Sequence, residues 1–118
     1  MPTSRWRKNV MATNFVQLVL TCDSWQEAQR IVDMLLEKKL IACAEFLPIK
    51  SKYHWKGTLE EADEIKLIME SAAHLFETVE KEVAKLHSYE TFVLQSIAIE
   101  KLSQSAAIWW EKQLGSGN

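Results

Sequence analysis

The chain has 118 residues, of which 47% are hydrophobic and 25% are charged, and its formal net charge is -2 at pH 7. This balance indicates one globular domain with its own core, and it excludes nucleic-acid binding driven by phosphate contacts. No apolar run reaches the length of a membrane span, so we expect no membrane partner. The two cysteines, Cys22 and Cys43, match no disulfide framework or metal-finger spacing, which favours a reducing, cytoplasmic location.

The basic first segment, residues 1–13, is predicted to be a disordered leader. No apolar h-region follows the basic first ten residues, so the segment does not have the pattern of a secretory signal. A membrane-surface or transit role is the less favoured alternative. We expect residues 14–114 to form the folded domain and residues 115–118 to form a flexible tail, because their Gly and Ser content is typical of linkers.

The first two elements are a strand and a helix. Residues from Asn14 to Thr21 alternate, but both faces are fairly apolar, which predicts a central strand. Ser24 and Glu27 then fit a capping box, in which Ser24 is the N-cap and Glu27 reaches back. Apolar residues at helical spacing predict an amphipathic helix from about Ser24 to Lys38.

One long β-hairpin is predicted from Cys43 to Ser71. Its arms run from Cys43 to Trp55 and from Glu64 to Glu70, and Lys56-Gly57 is the turn. This register places opposite charges across the strands, Lys52 facing Glu61 and Lys50 facing Asp63.

The first arm is long for a chain of this size. About 13 extended residues reach roughly 43 Å, whereas a compact domain of this length has a diameter near 35 Å. An overhanging arm leaves unpaired backbone groups that invite a neighbouring chain. We therefore expect a homo-oligomer that is sealed by strand pairing.

The second half of the chain repeats the helix–strand order. Ser71 is predicted to cap a second helix, His87 to Thr91 form a loop, and Phe92 to Ile99 form the fourth strand. A last helix runs from Ser103 to about Leu114. The order βαββαβ plus a helix predicts an α+β, ferredoxin-like antiparallel sheet with a long central hairpin and an extra C-terminal helix.

Three runs of residues resemble one family. Leu40 to Pro48, Ser51 to Gly57 and His87 to Glu90 are similar, in order and spacing, to the motifs of the CutA divalent-ion tolerance proteins. The resemblance implies a tight homotrimer built by strands from neighbouring chains. It also implies binding of divalent transition-metal ions, with copper the leading candidate, without catalytic turnover.

The chain departs from the family pattern at positions near these motifs. Glu45 stands where the family has Asn, Glu70 where Lys is often found, and Ser88 where the family loop has Pro. A lost proline loosens a loop, so the changes bear on the geometry of a site more than on the fold.

The candidate metal ligands are His87, Glu90 and Cys43. An imidazole is a common ligand for copper and zinc, and a thiolate suits Cu(I). The alternatives are that His87 caps the last carbonyls of its helix and that Cys43 is a small buried apolar residue.

A second candidate site is an inter-subunit cleft lined by Tyr53, Trp55, His87, Tyr89 and Glu90. Such a cleft would hold a small anion or a nucleotide, and the alternative is plain interface packing. It supports a second function, a trimeric signalling or scaffolding protein similar to the nitrogen-regulatory PII proteins, with a small metabolite between subunits. No catalytic motif and no Gly-rich phosphate loop is present, so we expect neither an enzyme nor an organic cofactor.

Overall fold

The structure, a computed structural model, describes residues 13–115. Its elements, in chain order, are β1 (Phe15–Cys22), α1 (Trp25–Glu37), β2 (Cys43–Trp55), β3 (Thr58–Ala72), a 3₁₀ turn (Ala73–Leu75), α2 (Phe76–Leu86), β4 (Leu94–Ala98) and α3 (Gln104–Gln113). Among these residues, no helix is both long and apolar enough to cross a membrane. The expected leader and tail lie outside the described residues, except for Thr13 and Gly115.

The four strands form one antiparallel sheet in the order β2-β3-β1-β4. One face of the sheet carries α1 and α2, because the apolar stripes of both helices need a partner surface. The residues that meet in this layer are fully or almost fully buried: Leu18, Leu20, Ile31, Leu35, Leu67, Met69, Val79 and Val83. The α+β, ferredoxin-like prediction is confirmed.

The central hairpin has the predicted turn and register. Lys56 and Gly57 have φ values of 51° and 83°, as a tight two-residue hairpin turn requires. The predicted charge pairs are present, with N–O distances of 3.4 Å from Lys50 to Asp63 and 3.4 Å from Lys52 to Glu61. Every residue from 52 to 61 is exposed, and the molecule measures 60 × 24 × 20 Å. The hairpin therefore extends beyond the packed part of the subunit.

The prediction that Ser71 caps the second helix is wrong. Ser71 belongs to β3, is fully buried, and donates a hydrogen bond from Oγ to the Leu40 carbonyl at 2.7 Å. The second helix follows a 3₁₀ turn instead, and no side chain caps it. Sheet pairing extends β3 over this position, whereas β4 is shorter than predicted.

The second face of the sheet has little cover within one subunit. By alternation it carries Gln17, Val19, Ile68 and Ile97, and the Ile97 side chain is 51% exposed. The C-terminal helix reaches only the end of this face, where Trp110 meets Phe15 edge-on with 5.7 Å between ring centroids.

Candidate functional site

His87 lies in the loop that follows α2, and its side chain is fully buried. Its Nε2 is 2.8 Å from the Thr21 carbonyl oxygen, and its Nδ1 is 3.0 Å from the Tyr89 backbone nitrogen. A carbonyl oxygen only accepts, so Nε2 carries the hydrogen and the Nδ1 lone pair accepts from the Tyr89 N–H. These two contacts fix both the tautomer and the orientation of the ring.

Aromatic contacts also hold the same ring. Phe92 stacks on His87 with 5.1 Å between centroids, and Tyr89 lies 4.9 Å away. The backbone N–H of His87 closes the last turn of α2 on the Val83 carbonyl. The imidazole itself contacts β1 rather than the end of its own helix, so the helix-capping alternative does not describe this ring.

Glu27 joins three segments of the chain at this point. Ser24 Oγ accepts from the Glu27 N–H at 3.1 Å, which confirms Ser24 as the N-cap of α1. The Glu27 carboxylate reaches one residue further back than predicted, accepting from the Asp23 N–H at 3.0 Å through Oε2. Its Oε1 accepts from the Ser88 N–H at 2.6 Å. Burial opposes ionisation of Glu27, but the hydrogen bonds from Ser88 and Asp23 outweigh it and lower its pKa.

Cys22 completes a group of three different donor types. Its sulfur, a Glu27 carboxylate oxygen and a His87 ring nitrogen all lie within 4.8 Å of one another, the only such group of three in residues 13–115. Burial raises the pKa of the Cys22 thiol to about 12, and the charges of Glu27 and Glu64 add to the effect. Nitrogen, sulfur and carboxylate donors together suit copper or zinc.

Two members of this group were absent from the predicted ligands. Glu27 fits a capping box, so its local role in the helix explains its position without any ligand. Cys22 is a single cysteine at the end of a strand, and His87 lies more than sixty positions later. Only the sheet order, which places the end of β1 beside the loop after α2, brings the three together.

Cys43 lies elsewhere in the sheet. It pairs with Glu70 on β3, which pairs with Gln17 on β1, four residues and about 13 Å along the strand from Thr21. Cys43 and His87 therefore do not meet in one subunit. The neighbour Glu70 is buried, with Oε2 unpartnered within the described chain, and burial and then the Glu45 charge raise its pKa.

A cleft of about 620 Å³ separates the outer hairpin from the loop after α2. Its lining, all within one subunit, includes Tyr53, Trp55, Tyr89 and Glu90, four of the five residues that we predicted for an inter-subunit cleft. The fifth, His87, has no exposed side-chain surface. The other lining residues are Thr21, Ser51, Lys52, Glu64, Ser88, Thr91 and Val93.

Tyr89 connects the cleft to the buried histidine. Its hydroxyl donates to the carboxylate of Glu64, and its backbone N–H donates to His87. Burial, followed by the hydrogen bond to Glu64, raises the pKa of Tyr89 far above its ordinary value. Glu64 is itself only 5% exposed. Its place in a run of acidic residues gave no signal that it would be buried and would accept a hydrogen bond from Tyr89.

Comparison with known proteins gives a consistent result. The family of CutA1 divalent ion tolerance proteins matches residues 16–113. The divalent-cation tolerance protein CutA of Archaeoglobus fulgidus is 42% identical over 88 residues, which cover 75% of this chain and 84% of that protein. The solved structure of the periplasmic divalent cation tolerance protein CutA from that organism has a TM-score of 0.82 at 36% identity, covering 84% of this chain and 97% of that one. CutA1 from Oryza sativa shares the fold, with a TM-score of 0.85 at 20% identity over 87% of this chain and 95% of that one.

Proposed function

This chain belongs to the CutA1 divalent ion tolerance family, and on that premise we propose that it binds a divalent transition-metal ion, with copper the leading candidate. The observation that carries the proposal is the group formed by Cys22, Glu27 and His87, whose donor atoms lie within 4.8 Å of one another. The function is binding without catalytic turnover, and it is assigned to residues 14–114.

The three residues would contribute differently to the ion. Glu27 is a carboxylate at neutral pH because its pKa is lowered. His87 would offer the Nδ1 lone pair, which now accepts from the Tyr89 N–H. Cys22 would give up its thiol proton, so binding should release a proton and strengthen as the pH rises. Cys43 and Glu90 stay predicted ligands outside this group.

We further propose that the protein is a homotrimer in the cytoplasm. The exposed hairpin from 52 to 61 and the open second face of the sheet support association between subunits. Free thiols at Cys22 and Cys43 support a reducing compartment. The A. fulgidus structure is described as periplasmic, so cell fractionation is the direct test of location.

Calorimetric titration of chelator-stripped protein with Cu(II), without reducing agent, tests the metal proposal. Co(II) is a second probe, because thiolate ligation gives it a charge-transfer absorption band. Cys22→Ser and Cys43→Ser form a matched pair within one chain. We expect Cys22→Ser to weaken Cu(II) binding at least about tenfold and to abolish the cobalt band, and Cys43→Ser to do neither.

His87→Ala is the second variant for the metal titration. Its fold is checked by circular dichroism and its assembly by light scattering. Loss of binding in a folded variant supports the site. Binding that depends on Cys43 rather than Cys22 would move the site to the start of β2. Binding that ignores both cysteines and His87 would reject a specific metal site.

The cleft favours a second candidate function, a trimeric signalling or scaffolding protein that binds a small metabolite. The specific observation is a volume of about 620 Å³ with three aromatic residues in its lining, Tyr53, Trp55 and Tyr89. Sites for small molecules have this size and this aromatic character. A thermal-shift screen of metabolites separates the two functions, since a ligand of the folded state raises the melting temperature without any metal.

A further inference from the structure

Resting on the metabolite-binding candidate, we propose that the cleft takes an organic cation, an ammonium or guanidinium group attached to an apolar body. The proposal names the chemical class of ligand, for which the cleft offers three kinds of evidence: aromatic rings, uncompensated carboxylates and a suitable volume.

The aromatic rings come from two sides of the cleft. Tyr53 and Trp55 are two residues apart on β2, so they share one face of the hairpin, and within a single subunit they are 40% and 43% exposed. Tyr89 comes from the loop after α2. The face of an aromatic ring carries negative electrostatic potential and attracts a cation within about 6 Å of its centre. An apolar body packs on the same rings.

The charges that line the cleft favour the same ligand. Glu64 and Glu90 provide two carboxylates, and Lys52 is the one cation among the lining residues. Lys52 Nζ is 3.4 Å from a Glu61 carboxylate oxygen, so its charge is already partnered. The carboxylate of Glu64 is also largely shielded from water, which strengthens its attraction for a cation.

An anion would meet the opposite conditions. The described lining contains no arginine, no glycine and no helix N-terminus, which are the features that hold phosphates. An anion would also approach the carboxylates of Glu64 and Glu90, whose negative charge Lys52 does not offset. The expectation of a small anion or nucleotide, made from the sequence, therefore gives way to a cation in this proposal.

Three probes that share a phenylethyl group and differ in charge test the proposal: phenethylammonium, 2-phenylethanol and 3-phenylpropionate. Each is titrated into the full-length protein at neutral pH, and binding is followed by calorimetry and by NMR. We expect phenethylammonium to bind at least about tenfold tighter than either of the others, because only it pairs with the carboxylates.

Charge-removing variants locate the effect. Glu64→Gln and Glu90→Gln should each weaken phenethylammonium binding about three- to tenfold and leave 2-phenylethanol unchanged. Glu80→Gln, on the exposed side of α2, removes the same charge away from the cleft and should change neither probe. Equal loss of both probes in Glu64→Gln and Glu90→Gln would show a structural effect and overturn the charge argument.

The remaining outcomes separate this inference from the function on which it rests. If 3-phenylpropionate binds as tightly as phenethylammonium or tighter, the cation is wrong and a metabolite site remains. If no probe binds at millimolar concentration, the cation is rejected, and the thermal-shift screen decides separately whether a metabolite site exists. The copper titration is a separate measurement, so neither result bears on the metal-binding proposal.

Discussion

A single carboxylate, that of Glu27, accepts hydrogen bonds from two backbone N–H groups, and both bonds are part-buried. One belongs to Asp23, just before α1, and the other belongs to Ser88, in the loop after α2. A hydrogen bond to a charged group contributes about 1.5–3 kcal/mol to stability. Glu27 therefore fixes the loop that carries His87 and Tyr89, whether or not it also binds an ion.

Replacing Glu27 by Gln tests this structural role. Gln has one carboxamide oxygen, so one of the two N–H donors would face an NH₂ group, and we expect the free energy of unfolding to fall by about 1–3 kcal/mol at pH 7. The lowered pKa of Glu27 means that its contribution is present above the unfolded pKa near 4.5 and is lost as the pH falls through the folded pKa. Urea unfolding at several pH values should show the gap between wild type and variant shrinking below about pH 4.5. A gap that is constant with pH, or that Glu80→Gln reproduces, would contradict this role.

At the residue scale, the sequence predicted which residues lie near the cleft better than it predicted what each of them contacts. Tyr53, Trp55, Tyr89 and Glu90 line one cleft, as residues of the recognised motifs were expected to do. The burial of His87 was not predictable, because it depends on contacts with Thr21 and Phe92, which come from other segments. Contacts of this kind follow from the tertiary arrangement and leave no local pattern.

Two helices begin at a serine, but only one of the two serines caps its helix through a side-chain hydrogen bond. Ser24 Oγ accepts the Glu27 N–H at the start of α1, whereas Ser103 makes no side-chain capping bond at the start of α3. Both positions fit the same local rule for an N-cap. The structure thus provides a matched pair for measuring what the capping bond itself contributes.

We expect Ser24→Ala to destabilise the protein by about 1 kcal/mol and Ser103→Ala by roughly a few tenths of a kcal/mol. The reason is that only the first substitution leaves a helix N–H without its acceptor. Chemical denaturation of both variants under the same conditions measures the difference. Equal losses would mean that the serine acts through backbone preference and not through the bond.

Local sequence signals were sufficient to predict the hairpin but not the start of the second helix. The hairpin register was predictable because the turn residues and the facing charges agree on one alignment. The helix start at Ser71 was wrong because the same residue types that cap helices also satisfy buried carbonyls, and pairing with β1 extends β3 to Ala72. Long-range pairing overrode a local preference there.

The whole molecule is longer than a compact chain of its size. Its radius of gyration is 16.0 Å, compared with about 13.5 Å for a compact domain of this length. The hairpin accounts for the difference. The order of the elements was enough to predict the fold, and the length of the first hairpin arm was the basis for expecting a homo-oligomer.

We expect light scattering to give three times the chain mass, and Ile97→Glu to reduce that mass. Ile97 is exposed on the edge strand β4 and on the face of the sheet without α1 and α2, where a charge would oppose subunit contact. Leu36→Glu is the control, because Leu36 is similarly exposed, at 42%, but lies on α1. If Leu36→Glu dissociates the protein and Ile97→Glu does not, subunits associate through the helices instead.

Tyr89 touches both proposed sites with different atoms, its N–H on His87 and its hydroxyl on Glu64. An ion that took the His87 lone pair would release that N–H, and Tyr89 would then be held less firmly against the cleft. Thermodynamic reciprocity requires that the factor by which the ion changes the affinity for the organic cation equal the factor by which the cation changes the affinity for the ion. Through Tyr89, binding of the metal ion would therefore change the fraction of clefts that are occupied by the metabolite.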